Sequence, residues 1–344
     1  MLDNTIKPIV IWLFIGCFLI YAMVLIGGIT RLTHSGLSMV EWNMIVGTLP
    51  PISDADWQQP FQKYQQTPEY QTINNQFTLA EFKSIYWWEY THRLLGRTIG
   101  LIFIIPLFYF YIKKQLTPVL TKKLLIILFL GGFQGFLGWY MVKSGLTKEP
   151  HVSHYRLAAH LISALTVFGF TLWVALSLLF PKPYYQNNKI KGIQVLLYSL
   201  FIVVVIQIIY GAFVAGLKAG LFYNTFPKMN KEWIPNEAMA LTPFWRNFLE
   251  SIAGVQLLHR FIAYTIVGLT IAVWLKARKL TTELRLIHKK AINTLVYLVG
   301  IQFLLGVFTL IYAVPVVLGL LHQTGAFLVF GISLFLIHQF RKIV

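Results

Sequence analysis

Eight separate runs of about 20 predominantly apolar residues leave this chain few folds to choose from. They lie at roughly 8–29, 94–112, 123–142, 157–180, 194–215, 253–275, 292–313 and 317–338. Hydrocarbon offers no water to a backbone amide, so a spanning segment must satisfy its own N–H and C=O groups, which a helix does. The whole chain agrees: 57% of its residues are apolar and 12% charged, where a soluble domain carries about 25% charged residues. The expected fold class is an all-α membrane protein with eight transmembrane helices. The first run passes into Gly27-Gly28-Ile29-Thr30-Arg31 and has no cleavage-like end. It reads as a retained helix, with no signal or organelle transit peptide expected.

Charge sets the orientation. With eight spans, the termini and even-numbered loops share one face. That face collects 16 Lys/Arg (Lys7, Lys113, Lys114, Lys122, Lys123, Lys182, Lys189, Lys191, Lys276, Arg278, Lys279, Arg285, Lys289, Lys290, Arg341, Lys342) against Asp3 and Glu283. The other face has 13 basic and 10 acidic residues, so the net charge of +17 divides as +14 and +3. Positive residues mark the cytoplasmic side. Both termini are expected there, with the segments 31–90, 143–156 and 216–250 facing outward. The basic excess is thereby explained by topology, and no nucleic-acid partner is expected. In the long outer segment 31–90, two short amphipathic helices are expected near 53–66 and 78–90. Trp42, Trp57, Trp87, Trp88, Trp233 and Trp245 are expected in the interfacial aromatic belt.

The chain repeats itself. His92-Arg93 followed by Thr98 matches His259-Arg260 followed by Thr265. Gln134 and Gly138 match Gln302 and Gly306, and His160 with Ala164, Phe168 and Gly169 matches His322 with Ala326, Phe330 and Gly331. Gly27 and Gly36-Leu37 echo Gly211 and Gly220-Leu221. Spans 1–4 and 5–8 are read as two copies of a four-helix unit, with boundaries at 1–185 and 186–344. An even number of spans per copy gives both the same orientation, so a pseudo-twofold axis along the membrane normal is expected to relate them.

Of nine histidines, His34, His151, His154, His288 and His338 fall in loops or at helix ends. His92, His160, His259 and His322 remain, at equivalent positions of the repeat and close to the outer ends of their spans. Ionisable groups inside a membrane are costly and tend to mark function. Two imidazoles facing each other across a four-helix bundle form a cradle for a haem iron, and each half supplies one pair. Arg93, Arg97, Arg156 and Arg260 lie nearby, and arginine pairs bidentately with carboxylates such as haem propionates. The halves differ at Glu89, three residues before His92 on the same helical face, whose counterpart is Gln256. A carboxylate on one side only suggests that one half reacts while the other carries electrons. Zinc fits poorly because no carboxylate or cysteine joins each pair. A di-iron site needs a second Glu-x-x-His and further buried glutamates. A single cysteine, Cys17, excludes an internal disulfide and a cysteine-ligated iron–sulfur cluster.

The stretch from Gly27 to Trp42 (GGITRLTHSGLSMVEW) is similar to the signature that follows the first span in haem A synthases, and so is Glu89-Tyr-Thr-His-Arg-Leu-Leu-Gly-Arg97. His160, Leu258-His259-Arg260 and Leu321-His322-Gln323 complete the resemblance, which covers essentially the whole chain. It implies oxidation of the C8 methyl of haem O to a formyl group by two hydroxylations, the gem-diol then losing water. It implies a haem b cofactor on His259 and His322. Arg260 and Arg156, read from the residues alone, are the expected propionate contacts. The resemblance also implies haem O as substrate near His92, His160, Arg93 and Arg97, with Glu89 assisting as the catalytic residue. Because Cys17 sits inside the first span, the chain resembles the cysteine-free branch shared by mitochondria and alphaproteobacteria. The expected setting is a bacterial inner membrane. Expected partners are haem O synthase as supplier and an unidentified electron donor, with a homo-oligomer left open. The alternative is a dihaem b-type electron-transfer cytochrome with two permanent haems.

Overall fold

A computed structural model describes residues 5–42, 49–146, 152–181 and 190–341. Asp3, Lys182, Lys189 and Lys342 of the charge argument, His151, and the expected boundary at 185/186 lie outside the described residues. The described residues form helices α1 (Ile6–Leu32), α2 (Asp54–Gln65), α3 (Pro68–Thr72), α4 (Leu79–Ile112), α5 (Pro118–Gly145), α6 (His154–Leu179), α7 (Lys191–Gly216), α8 (Ile252–Lys279), α9 (Leu286–Ile311) and α10 (Val316–Gln339). Three short 3₁₀ turns lie between α7 and α8. Eight of the helices, all but α2 and α3, are long and apolar enough to cross a membrane. They match the eight expected spans.

Local chemistry sets the helix ends. Ser53 caps α2 and Thr78 caps α4, each through a reciprocal capping box, with Asp56 and Glu81 respectively. Thr117 caps α5 with Pro118 in its first turn, where a missing N–H costs nothing. At the far end of α1, Ser35 donates to the Thr30 carbonyl (2.8 Å) and His34 to that of Arg31 (3.2 Å), with His34 left-handed at φ 55°. That is the 6→1 and 5→2 pattern of a Schellman stop. His34 is therefore the residue that ends α1.

Two expectations are corrected here. Residues 78–90 do not form a separate surface helix but the first turns of α4. Its 34 residues reach about 50 Å at 1.5 Å each, well beyond a hydrocarbon core of about 30 Å. Trp57 is not in an exposed belt: only 4% of it is exposed. It packs edge-on to Tyr86 (5.0 Å between ring centres) and Phe82 (6.4 Å), in a cluster with Phe61, Tyr64 and Tyr90 that docks α2 on α4. Trp42, Trp87, Trp88, Trp233 and Trp245 are exposed.

The described chain groups into two compact units, Ile15–Phe168 and a second comprising residues up to Phe14 with those from Gly169 on. The division falls inside α1 and α6. In the second unit, α7 packs on α8 and α10, and α9 on α8 and α10, closing a four-helix ring. Its core is built at helical spacing from Ile193, Leu197, Leu200 and Val204 of α7 and Ile292, Leu295 and Val299 of α9. Phe340 contributes its carbonyl to Gln194 Nε2 at 2.5 Å. His338, fully buried, engages Ser177 Oγ (3.2 Å) and Arg341 Nη1 (2.8 Å). In the first unit, α4 packs on α5. Large apolar side chains remain exposed at the same spacing: Leu101, Ile105, Phe108 and Ile112 on α4, and Phe129, Phe133, Phe136 and Tyr140 on α5. Tyr297, Ile301, Leu304 and Phe308 do the same on α9. Contiguous apolar stripes of this size suit a lipid solvent.

Candidate haem-binding histidine pairs

In the second unit, the rings of His259 of α8 and His322 of α10 meet edge-on, with centres 6.5 Å apart and planes inclined by 74°. Each imidazole lies against a glycine of the neighbouring helix. A Cβ on Gly211 of α7 would meet His259 Cε1 at 3.5 Å, and one on Gly306 of α9 would meet His322 Cε1 at 2.8 Å. Gln302 of α9 donates from Nε2 to the His322 carbonyl at 2.9 Å, and its Oε1 occupies the space that a Cβ on Gly325 would need. Gln207 Nε2 lies 3.3 Å from His259 Nε2.

In the first unit the same parts recur. A Cβ on Gly27 of α1 would meet His92 Nε2 at 3.1 Å, and one on Gly138 of α5 would meet His160 Cε1 at 3.2 Å. Gln134 Nε2 donates to the His160 carbonyl at 3.1 Å and sits 3.2 Å from its Nδ1. Where the second half has Gln207, one turn before its glycine, the first half has Met23, whose Cε lies against Gly96 of α4.

The C-terminal pair fits a haem iron. Metal–imidazole bonds are about 2.0–2.1 Å, which puts the centres of two opposed rings about 6 Å apart. The observed 6.5 Å is close to that span. Nδ1 of His259 and of His322 is buried without a hydrogen-bond partner, a costly state that a metal, or a ring flip that swaps the two nitrogens, would change. Two neutral imidazoles and no carboxylate suit a haem iron better than zinc. Among the described residues there is no group of three or more His, Cys, Asp or Glu placed to hold a free metal ion.

The charged residues are placed differently from one another. Glu89 of α4 is 2% exposed and accepts from Ser38 Oγ (2.7 Å), the Met39 N–H (2.8 Å), and Arg93 Nε (3.1 Å) and Nη2 (2.5 Å). Arg93 also donates to the carbonyls of Glu41 (2.7 Å) and Met39 (2.8 Å), and its guanidinium lies 4.7 Å from the Trp42 ring centre. In the second half, Gln256 donates to the carbonyls of Ala219 (3.0 Å) and Phe222 (2.8 Å). Arg260 donates to those of Tyr223 (2.8 Å) and Thr225 (3.0 Å), while its Nε is buried without a partner. Arg156 stacks on Tyr140 at 4.9 Å, and Arg97 lies one turn beyond Arg93 on α4.

The structure thus brings together His259 with His322, Glu89 with Arg93, and each candidate histidine with a glycine. The sequence reading used Gly27, Gly138, Gly211, Gly306, Gln134 and Gln302 only as markers of the repeat. Their recurrence was the available signal that they serve the histidines. Ser38 and Gln207 carried no such signal.

The chain is 46% identical to a heme A synthase of Flavobacterium psychrophilum, over 98% of this chain and 99% of that protein. It is 48% identical to a heme A synthase of Nitrosospira multiformis, over 98% and 94%. For a heme A synthase of Wolbachia pipientis the figures are 41%, 98% and 93%. The profile of the cytochrome oxidase assembly protein family COX15-CtaA matches residues 10–334, and with relatives this similar over nearly its full length the chain belongs to that family.

Proposed function

We propose that this chain is a haem A synthase, oxidising the C8 methyl of haem O to a formyl group by two successive hydroxylations, with loss of water from the gem-diol. The observation that carries this reading is the doubled cradle: four histidines at repeat-equivalent positions, each seated against a glycine of a neighbouring helix. In this reading residues 186–344 hold haem b through His259 and His322, and residues 1–185 receive haem O between His92 and His160. Haem b, when bound, supplies one-electron transfer.

The chain's own groups do the rest. Gly211 and Gly306 leave room for the imidazoles, and Gln302 holds the His322 backbone from one side. Arg260 keeps its Nε–H for a propionate carboxylate, and Arg156 is held ready over Tyr140. Arg97 stands on the His92 side for the propionates of haem O, whereas Arg93, the other candidate there, is engaged by Glu89 and by the carbonyls of Met39 and Glu41. Both termini are cytoplasmic and the long segments face outward from the cell inner membrane, as the division of basic residues supports. Haem O synthase as supplier and an external redox partner complete the reaction.

The test is extraction and identification of haems from the purified protein made with and without a haem O supply. One b haem, with haem A appearing only when haem O is supplied, is the expected result. Two non-exchangeable b haems and no formyl haem would mean an electron-transfer cytochrome. His259→Ala and His322→Ala should each remove the b-type spectrum; a spectrum surviving both would overturn the cofactor assignment.

A further inference from the structure

We infer that Phe226, Tyr264 and Phe303 restrict the second half to a haem without a long side chain, and that Gly135 admits one in the first half. The inference rests on the reading of the first half as the haem O site. Haem O bears a hydroxyethylfarnesyl chain where haem b has a vinyl group. Otherwise the two offer a protein the same iron, ring and propionates. Cradles built alike from histidine, glycine and glutamine do not by themselves tell them apart. A group beside the cradle must do so.

The halves differ in that place. In the second unit, aromatic rings from three elements meet next to the histidine pair. Tyr264 lies one turn beyond Arg260 on α8. Phe303 of α9 follows Gln302, which holds the His322 carbonyl. Phe226 comes from the segment between α7 and α8, where Arg260 donates to the carbonyls on either side of it, Thr225 (3.0 Å) and Pro227 (3.3 Å). Ring centres are 5.6 Å apart for Tyr264 and Phe303, 6.0 Å for Phe226 and Phe303, and 6.4 Å for Phe226 and Tyr264. At such spacings aromatic rings pack against one another.

The repeat puts Trp42, Arg97 and Gly135 at the equivalent positions of the first half. Trp42 answers Phe226 in space as well as in sequence: Arg93 stacks on it at 4.7 Å, as Arg260 grips the chain around Phe226. Two of the three rings are missing, so the cluster is not repeated. A Cβ on Gly135 would meet nothing within 4 Å. Gly131, one turn earlier on α5, is equally open, whereas its counterpart Val299 is buried. Packed rings reject a bulky chain because they would have to part to admit it, while a vinyl group leaves them in place. Beside Gly135 no ring has to move, and the exposed rings of Phe133 and Phe136 on the same helix offer an isoprenoid chain apolar surface.

The experiment measures each half alone in the full-length chain. His259→Ala with His322→Ala leaves the first half, and His92→Ala with His160→Ala leaves the second. Each purified chain is titrated with haem b and with haem O, and binding is read from the haem spectrum. In the first-half chain, Gly135→Phe should weaken haem O binding at least about tenfold and haem b binding by less than about threefold. In the second-half chain, Phe303→Gly should strengthen haem O binding at least about tenfold with haem b still held. Haem O held as firmly by Gly135→Phe as by its parent would overturn the inference and leave lipid as what lies against Gly135. Equal losses of the two haems there would overturn it too, since the farnesyl chain would not be what is sensed. So would a Phe303→Gly chain that holds haem b and still refuses haem O; if that variant holds no haem, Tyr264→Ala is judged by the same criterion. A first half that binds neither haem before Gly135 is changed would instead sink the proposed function, with the second-half chain still testing the ring cluster.

Discussion

Gly306 is the tightest contact at the C-terminal histidine pair, and Gly306→Ala converts it into a measurable defect. The new methyl carbon would stand 2.8 Å from His322 Cε1, so the imidazole must recede by about 0.6 Å to reach an ordinary contact of 3.4 Å. His322 cannot yield freely, because Gln302 holds its carbonyl at 2.9 Å and Gly325 is filled by the same glutamine. Overpacking of this kind costs about 1–3 kcal/mol. Replacing glycine by alanine inside a helix returns about 1 kcal/mol. That return accrues to the helix whether or not haem is bound, whereas the displaced ring falls on the ligand. Haem b retention should therefore weaken by roughly 5- to 100-fold, at about 1.4 kcal/mol per tenfold.

Gly211→Ala is the matched control. Its Cβ would lie 3.5 Å from His259 Cε1, an ordinary contact, so the helix gain stands alone. The assay is haem b content and the b-type absorption spectrum of both purified variants, alongside thermal stability without haem. Equal retention in the two variants, or a greater loss from Gly211→Ala, would refute the steric argument.

Gly325→Ala should expel Gln302 from its place and lower haem b retention; adding Gln302→Ala should recover part of the loss, which a double-mutant cycle on haem content would detect. Trp57→Ala should cost about 3–5 kcal/mol of local docking, read as earlier proteolytic cleavage across α2 and α3 while the C-terminal haem spectrum stays intact. Asp56 has its pKa lowered by the Ser53 backbone N–H and hydroxyl. Its stabilisation of the α2 cap is thus present above the unfolded aspartate value of about 3.9 and lost as pH falls through the lower folded value. Acidification should fray α2 in wild type, seen by hydrogen exchange over residues 54–57, whereas Asp56→Asn should be frayed already at neutral pH.

Several parts of the candidate site were legible because they recur. The repeat singled out His92, His160, His259 and His322 from nine histidines, and two equal copies of a pattern leave little room for chance. His34 had no such protection from misreading: a histidine in an outer segment carries no sign that it supplies the left-handed residue of a helix stop. Trp57 was misjudged because an aromatic residue close to a span suits both a lipid interface and a small core. The choice depends on whether α2 docks, which composition does not encode. Residues 78–90 were read as a separate element because hydropathy falls there, although a helix continues through polar residues wherever its cap and backbone allow.

Linear order alone determined the spanning helices and singled out four candidate histidines by recurrence, since helical length and recurrence are properties of a string. What waited for three dimensions was the partner of each group: which glycine makes room for which imidazole, and that Glu89 meets an O–H and an N–H some fifty positions away. Hydrogen bonds and van der Waals contacts act over a few ångströms, and no one-dimensional pattern records which distant residues come that close.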